Sequence, residues 1–257
     1  MCVIVIKPKG HDFPPVSVIE QCIDANRHGN AMAWDENGEL KVFRSLDKQE
    51  TIDKYKELIA RLNPNETSLV FHARIATHGN VKLENCHGFL HQSGGKTYAF
   101  FHNGMMNNID ARDGMTDSET FFRDLFIPGL DAVSMDYALA ITRSVGGGYN
   151  RYAIIDNEGH IWYHGGSSGY YKESFPGCKG KIYFSNLNWK PKSVFGLGFN
   201  PYGGVGKADK KGGSGLPSVG KRDGKKPVLV THNDDRGCGT LFEQYEQRYT
   251  TLTGSGK

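Results

Sequence analysis

A cysteine occupies the second position of the sequence, directly after Met1. Methionine aminopeptidase removes an initiator methionine when the next residue is small, and cysteine is small enough. Removal of Met1 would leave Cys2 with a free α-amine beside its own thiol. Because an α-amine titrates at a pKa of about 7.7–8.0, it can accept the thiol proton without help from another side chain. A thiolate is a strong nucleophile, so this position predicts nucleophilic catalysis by Cys2; the alternative is an incidental cysteine.

Four polar segments follow Cys2 in order along the chain. The first, His72-Ala73-Arg74-Ile75-Ala76-Thr77-His78-Gly79, ends an apolar run and enters a glycine turn; Glu84-Asn85-Cys86-His87, His102-Asn103-Gly104 and Thr116-Asp117-Ser118-Glu119 come after it. In these segments the chain resembles the class II glutamine amidotransferases, which are N-terminal nucleophile (Ntn) hydrolases. The first segment agrees with the family's His-x-Arg-x-Ala-Thr-His-Gly at every fixed position. The resemblance covers approximately residues 1–190.

The resemblance implies that the protein is an enzyme that hydrolyses L-glutamine to glutamate and ammonia through a thioester on Cys2. The α-amine of Cys2 would act as a base and then as an acid toward the departing ammonia. Asn103 and Gly104 would form the oxyanion hole, with one side-chain amide and one backbone N–H. Arg74 would clamp the substrate α-carboxylate with its planar guanidinium, and Asp117 would receive the α-ammonium group.

Further substrate-binding residues implied by the resemblance are Thr77 and His78, at the carboxylate end of the pocket, with His87 nearby. Other interpretations stay open for the predicted oxyanion, clamp and ammonium-binding residues. Asn103-Gly104 is also a common turn dipeptide, Arg74 could form a surface ion pair, and Asp117 could be a helix N-cap.

Three positions depart from the family pattern. Val3 follows the nucleophile where the family usually has glycine, His28-Gly29 replaces Arg-Gly, and His87-Gly88 replaces His-Pro. These substitutions affect the space around the thiol and the fit of the substrate. The predicted nucleophile, clamp and oxyanion residues are retained.

A metal site is the main rival interpretation of the polar residues. The candidates would be cysteine and histidine side chains: Cys86, His87, His91, His72, His78 and His102. Their spacing matches no standard zinc pattern, so we expect neither a metal nor another cofactor.

Two alternative functions remain beside glutamine hydrolysis. An Ntn hydrolase could cleave a γ-glutamyl or other small amide, although Arg74 and Asp117 favour a substrate with a free amino acid head. A non-catalytic nucleic-acid-binding module could use the basic residues 207–226, which hold seven lysines and arginines against two aspartates. No aromatic residue lies between those lysines, which favours a solvated linker.

The spacing of apolar residues predicts the elements that must position these side chains. Ser17-x-x-Glu20 is a capping box opening a helix that would end at Gly29, and 48–62 carries a second helical stripe. The remaining elements are strands at 2–7, 69–75, 98–102 and 181–185, hairpins around 35–38 and 157–159, and helices at 118–126 and 132–143. Strict strand–helix alternation is absent, and together with the resemblance this predicts an α+β fold: a four-layer αββα Ntn-hydrolase sandwich of two mostly antiparallel sheets.

Composition divides the chain into two parts. Residues 1–195 form the predicted amidotransferase domain, and 196–257 a Gly-rich basic linker and C-terminal extension with a short strand at 227–231 and a helical stripe at 241–249. About 60 residues are too few for a synthase, so the ammonia acceptor is expected to be a separate enzyme. Five scattered cysteines argue against a disulfide framework. No apolar run approaches the roughly 18 residues of a membrane span, and a cytoplasmic enzyme is expected.

Overall fold

The computed structural model describes residues 2–76, 79–106, 108–112, 114–165 and 169–191. The predicted linker, the strand at 227–231, the helix at 241–249 and the nucleic-acid contact at 207–226 lie outside these residues. So do Met1, Thr77 and His78. These parts of the account, including the domain boundary at 195, stay predictions.

Within the described residues, ten strands form two antiparallel sheets. The six-stranded sheet has the order β3-β2-β4-β1-β10-β9 and the four-stranded sheet the order β5-β6-β7-β8. The strands of the first sheet are β1 (Val3–Lys7), β2 (Asn30–Glu36), β3 (Glu39–Ser45), β4 (Leu69–Ala73), β9 (Tyr171–Glu173) and β10 (Ile182–Phe184). Those of the second are β5 (Phe89–Ser93), β6 (Lys96–Asn103), β7 (Arg151–Asp156) and β8 (Ile161–His164).

Helices cover the outer face of each sheet. On the six-stranded sheet these are α1 (Val16–Ala25) and α2 (Lys48–Arg61); on the four-stranded sheet they are α3 (Asp117–Phe121), α4 (Ile127–Ala132) and α5 (Met135–Gly146), with a π-helical turn, Phe122–Phe126, joining α3 to α4. The architecture is therefore four layers, helix–sheet–sheet–helix, as predicted. Among the helices described, none combines the length and apolar character needed to cross a membrane.

Strand β1 shows how the layers are held together, because it is buried on both faces. Val3 and Val5 point to α1 and α2, whereas Ile4 and Ile6 point to the second sheet, and all four are fully buried. Alternate residues of a strand face opposite sides, so a strand between two apolar layers must be apolar throughout. This explains the continuous apolar run next to Cys2.

The second sheet is covered by an aromatic layer. Phe100 of β6 packs against Phe121, Phe122, Phe126 and Tyr152, with ring centroids 5.2–6.0 Å apart. Aromatic side chains bury large apolar areas and favour such offset or tilted contacts. The helix that begins at Asp117 is thereby fixed on the sheet that carries Asn103.

Several predicted elements are confirmed. The 35–38 hairpin joins β2 to β3, with Asn37 and Gly38 at φ values of 53° and 77°, which asparagine and glycine tolerate best. The helical stripe at 48–62 is α2, whose N-cap Asp47 accepts a hydrogen bond from the Glu50 N–H. The strands β5 and β9 were not predicted. Strand β9 spans three residues, and Phe89 is the only buried residue of β5.

The predicted capping box at Ser17 is wrong. Helix α1 begins at Val16 after Pro15, makes no side-chain cap, and ends at Ala25 with Asn26 as the C-cap. Ser17 lies inside the first turn, whereas a capping hydroxyl must stand at the N-cap position, which Pro15 occupies. Gly29 does not end the helix. It leaves room for the Cys86 side chain, because a Cβ at position 29 would lie 2.5 Å from the Sγ atom of Cys86.

Two further boundaries differ from the predictions. Strand β4 ends at Ala73 rather than at residue 75, and α5 begins at Met135 rather than at residue 132. Ser134 accounts for the later start, because its Oγ atom accepts a hydrogen bond from the Tyr137 N–H, as an N-cap does.

Candidate active site

Cys2 lies at the point where β1 begins, beside the end of β4. The antiparallel register pairs Val3 with Ala73, so Cys2 faces the residues that follow β4. The Sγ atom of Cys2 is 3.4 Å from the Ile75 N–H that donates to it and 3.5 Å from the Ile75 carbonyl oxygen. The carbonyl oxygen of Cys2 accepts a 2.6 Å hydrogen bond from Nδ2 of Asn186. The thiol and its peptide group are thus both fixed by hydrogen bonds.

Burial dominates the electrostatics of this thiol. Loss of solvent raises the pKa of Cys2, and the Ile75 hydrogen bond and the positive charge of Arg74 only partly oppose the increase. The thiol form therefore prevails near neutral pH. A nearby base is needed to produce the thiolate.

Arg74 follows β4 directly and is buried, with 3% of its surface exposed. Its backbone N–H donates to Gly29 at 2.8 Å, its carbonyl accepts from the His28 N–H at 2.8 Å, and its Nη1 atom donates to the Asn80 carbonyl at 3.2 Å. This excludes the exposed surface ion pair considered from the sequence. The guanidinium is part of the interior of the site.

His28, which departs from the family pattern, supports the same segment. Its Nδ1 atom accepts a 2.9 Å hydrogen bond from the Ala76 N–H. The imidazole thus fastens the chain just beyond the residue that contacts the Cys2 thiol.

Asn103 is the last residue of β6, and Gly104 follows it. The strand's neighbours in the sheet are β5 and β7, and the chain continues from Gly104 into the segment that leads to α3. The Asn-Gly pair is therefore not the two-residue hairpin turn that its composition also allowed. A Cβ at Gly104 would lie 2.0 Å from Oδ1 of Asn150, so only glycine fits there.

The side chain of Asn103 is buried and points to a residue that sequence reasoning missed. Its Nδ2 atom is 2.8 Å from Oγ of Ser185, and its Oδ1 atom has no hydrogen-bond partner among the described residues. Ser185 directly follows β10, and its Oγ atom also accepts from the Ile4 N–H at 2.8 Å. No local sequence signal marks Ser185, because its partners lie 82 and 181 residues away.

Asp117 is the first residue of α3, and Thr116 is the N-cap, with its hydroxyl accepting a 3.1 Å hydrogen bond from the Glu119 N–H. The N-cap interpretation of Asp117 is therefore wrong. The Asp117 carboxylate accepts from the Met106 N–H at 2.9 Å and from the Ser118 N–H at 2.8 Å. It holds the segment after Gly104 against the start of α3.

His87 is buried in a row of aromatic rings that runs from β4 of the first sheet to β6 and β7 of the second. The His72 and His87 rings stack with centroids 4.2 Å apart, His102 lies 6.4 Å beyond His87, and Tyr152 stacks on His102 at 5.0 Å. The Nδ1 atom of His87 accepts from the His102 N–H at 3.1 Å. The role of His87 toward a substrate stays a prediction; its observed contacts are with these rings.

All three imidazoles are kept neutral by burial. Desolvation lowers the pKa of His72 to about 3, lowers that of His87 strongly, and lowers that of His102. The charge of Arg74 adds to the effect on His72 and His87. Neutral imidazoles can stack closely, because they carry no mutual repulsion.

The glycine after His87 also departs from the family pattern, and its conformation explains why. Gly88 has a φ of 82°, which the fixed ring of proline cannot adopt. Arg44 holds this turn by donating to the carbonyls of His87 and Gly88 at 3.0 and 2.6 Å.

The described cysteine and histidine residues do not converge as metal ligands. His91 pairs instead with Asp131 at 2.8 Å. Within the described ranges, ligand atoms converge only at Asp156, Glu158 and His160. The ammonium of Lys96 already lies against both carboxylates there, at 3.0 and 2.6 Å, so this cluster is an ion-pair network.

The fold and the site together define a class of protein: an α+β sandwich with a thiol at the start of an inner strand, next to the segment that carries a buried arginine, and with a buried asparagine linked to the same strand through Ser185. A sequence model described as glutamine amidotransferases class II matches residues 11–138. That range contains Arg74, Asn103, Gly104 and Asp117 but not Cys2. Residues 11–138 thus belong to the class II glutamine amidotransferases.

Known proteins resemble this chain over part of its length. A putative glutamine amidotransferase from Haemophilus influenzae is 30% identical over 106 residues, which are 38% of this chain and 36% of the relative. The chain thus spans about a third of that curated relative. Solved structures with likeness include the glutamine phosphoribosylpyrophosphate amidotransferase from B. subtilis, with a TM-score of 0.47, 14% identity, and coverage of 72% of this chain and 42% of that chain. A glutamine aminotransferase class-II domain protein from Silicibacter pomeroyi has a TM-score of 0.41, 18% identity, and coverage of 71% and 88%.

Proposed function

We propose that the protein hydrolyses L-glutamine to glutamate and ammonia, with the Cys2 thiol as the nucleophile, and delivers the ammonia to a separate acceptor enzyme. The observation that carries the proposal is the position of the thiol. Its Sγ atom lies against the backbone of Ile75, the residue next to Arg74. Nucleophile and carboxylate clamp are thereby neighbours across one strand pair.

The proposed reaction has two steps. After removal of Met1, the α-amine of Cys2 takes the thiol proton, and Sγ attacks the side-chain amide carbon of glutamine. The C–N bond breaks, and the amine returns the proton to the departing ammonia. Water then attacks the thioester, releases glutamate and restores the thiol. The raised pKa of the thiol fits this scheme, since the amine supplies the base that a buried thiol requires.

Asn103 and Gly104 are proposed to stabilise the oxyanion of both tetrahedral intermediates. Arg74 is proposed to bind the α-carboxylate of glutamine and Asp117 its α-ammonium group. Thr77, His78 and His87 complete the proposed substrate-binding set. Losing one oxyanion donor typically costs about 2.7–4 kcal/mol of transition-state stabilisation.

The test is steady-state release of ammonia and glutamate from glutamine by the parent protein and by Cys2→Ala. We expect turnover by the parent and none by Cys2→Ala. Cys178→Ala is the matched control, because Cys178 is also partly exposed and has no part in the site. Absence of glutamine turnover in a parent protein that lacks Met1 would contradict the proposal.

The same experiment tests the alternative substrate class. γ-Glutamyl amides with larger leaving groups are assayed in parallel with glutamine. A higher kcat/KM for such amides than for glutamine would contradict the proposal and indicate a γ-glutamyl hydrolase instead.

A further inference from the structure

The hydroxyl group of Ser185 connects the two halves of the proposed site. Its Oγ atom accepts from the Ile4 N–H, two residues beyond Cys2, and lies 2.8 Å from the amide nitrogen of Asn103. Its own N–H donates to the Ile4 carbonyl at 2.9 Å. Because Ser185 is fully buried, water does not compete for these bonds.

The pairing of donors and acceptors at this hydroxyl is incomplete when Nδ2 of Asn103 faces it. Two donors then converge on Oγ, and among the described residues neither the Ser185 hydroxyl hydrogen nor Oδ1 of Asn103 has a partner. A buried polar group without a partner destabilises the folded protein. The arrangement therefore leaves a donor and an acceptor unused side by side.

Rotation of the Asn103 amide by 180° pairs the Ser185 hydroxyl hydrogen with Oδ1 of Asn103, and the NH2 group then gives up its contact with Oγ. The Ser185 O–H then donates to Oδ1 while Oγ still accepts from Ile4. The rotation needs no additional space, because the oxygen and the NH2 group of an amide are nearly equal in size. The NH2 group takes the buried position that has no partner among the described residues.

We infer that Ser185 is a positioning residue that orients the Asn103 amide with its NH2 group toward the oxyanion. This inference rests on the proposed glutamine hydrolysis. An amide oxygen in that position would repel the developing negative charge, whereas the NH2 group donates a hydrogen bond to it. The Ile4 N–H can only donate, so the hydroxyl hydrogen is left for Asn103. Ser185 thereby couples the strand of the nucleophile to the polarity of the oxyanion hole.

Asn186 fixes the nucleophile in the same segment. Its Nδ2 atom donates to the Cys2 carbonyl at 2.6 Å, and its Oδ1 atom accepts from the Asn188 N–H at 3.0 Å. Two consecutive residues after β10 thus hold Cys2 and Asn103.

The test compares Ser185→Ala with the parent in glutamine hydrolysis. We expect kcat to fall about 100-fold and KM for glutamine to change less than about threefold, because Arg74 and Asp117 are untouched. Ser68→Ala is the control for loss of a buried hydroxyl: Ser68 is buried, donates to the Gly159 carbonyl at 2.7 Å, and lies at the other end of the sheet from Cys2. Its kcat should equal that of the parent.

Two readouts separate orientation of the amide from damage to the fold. Alkylation of Cys2 by iodoacetamide forms no oxyanion, so Ser185→Ala should react at the parent rate. In addition, Asn103→Ala combined with Ser185→Ala should be no slower than Asn103→Ala alone, because Ser185 acts through Asn103. If Ser185→Ala does not fold, Ser185→Thr, which keeps the hydroxyl, should retain kcat within about tenfold, against the loss expected for Asn103→Ala.

A kcat for folded Ser185→Ala within threefold of the parent would overturn the inference, and so would an additive loss in the double variant. For Ser185→Thr, a loss as large as that of Asn103→Ala would do the same. A parent protein without glutamine turnover would overturn the proposed function, and the inference with it, before any substitution is made.

Discussion

At the scale of single residues, the reactivity of Cys2 depends on a balance between burial and charge. Burial raises the pKa of the thiol, and the Arg74 charge only partly offsets this. Arg74 therefore has two roles in the proposed mechanism: it binds the substrate carboxylate, and it lowers the pKa of the nucleophile. Its own backbone is held by Gly29 and His28, so the guanidinium is presented from a rigid segment.

We predict that Arg74→Lys lowers kcat/KM for glutamine by about 10- to 100-fold, mainly through KM. Lysine keeps the charge but loses the planar fork that binds a carboxylate with two hydrogen bonds. The measurement is steady-state hydrolysis of glutamine. Arg61→Lys, on the exposed end of α2, is the control and should leave both constants unchanged. An unchanged KM for Arg74→Lys would contradict the assignment of the clamp.

At the scale of elements, the site is assembled by the ends of strands that are distant in sequence. Pairing of β1 with β4 brings Cys2 to Ile75, and pairing of β1 with β10 brings Ser185 to Ile4. The position of Cys2 and the segments around Arg74 and Asn103 could be predicted from their types and order. Ser185 and Asn186 could not, because their function arises only when β10 pairs with β1.

The two errors at helix starts have a similar origin. Ser17 and Asp117 both have cap-forming side chains, but the neighbouring Pro15 and Thr116 occupy the N-cap positions. Local patterns define which residues can cap a helix. A side chain caps only from the N-cap position, and Ser17 and Asp117 both lie inside the first turn.

We predict that Gly104→Ala destabilises the protein by about 1–3 kcal/mol and lowers kcat, because its Cβ would collide with Asn150. The Oδ1 atom of Asn150 also lies 2.6 Å from Nε2 of His102, so the displaced side chain cannot move freely. Chemical denaturation and glutamine hydrolysis measure the two effects. The control is Gly94→Ala, where φ is also positive but no atom lies within 4 Å of the added Cβ. Equal losses in the two variants would contradict the steric explanation.

At the scale of the whole molecule, a buried row of histidine rings links the two sheets. The stacked rings of His72, His87 and His102 run from β4 to β6 and are neutral because charging buried imidazoles is unfavourable. Neither ring nitrogen of His72 has a partner among the described residues. We therefore expect the stack to make the fold sensitive to acid.

We predict that the free energy of unfolding decreases as pH falls below 6.5, the ordinary pKa of histidine, toward the folded pKa of His72 at about 3. In this window the unfolded chain binds a proton at His72 that the native protein excludes, so acid favours unfolding. His72 alone should contribute a loss of about 2.5 kcal/mol between pH 7 and pH 4.5. Urea unfolding at the two pH values measures it.

The matched variant for this measurement is His72→Phe. It should lose less stability between pH 7 and pH 4.5 than the parent. Equal losses in the parent and in His72→Phe would show that His72 does not titrate as its burial requires.

We predict that removal of residues 196–257 leaves glutamine hydrolysis unchanged, because every residue proposed for the site lies between positions 2 and 186. Salt-dependent DNA binding by the full chain and the shortened chain tests the alternative role of the basic segment. A loss of DNA affinity on truncation would support that role, and a loss of glutamine turnover would contradict the proposed domain boundary.

The central claim is that Cys2, with its own α-amine, is the nucleophile. The most direct test is the intact mass of the purified protein with and without a glutamine-analogue electrophile, followed by peptide mass mapping. The account predicts a chain that lacks Met1 and carries one adduct, on Cys2, whose formation excess glutamine prevents. Retention of Met1 in a protein that turns over glutamine, or an adduct on another residue, would contradict it.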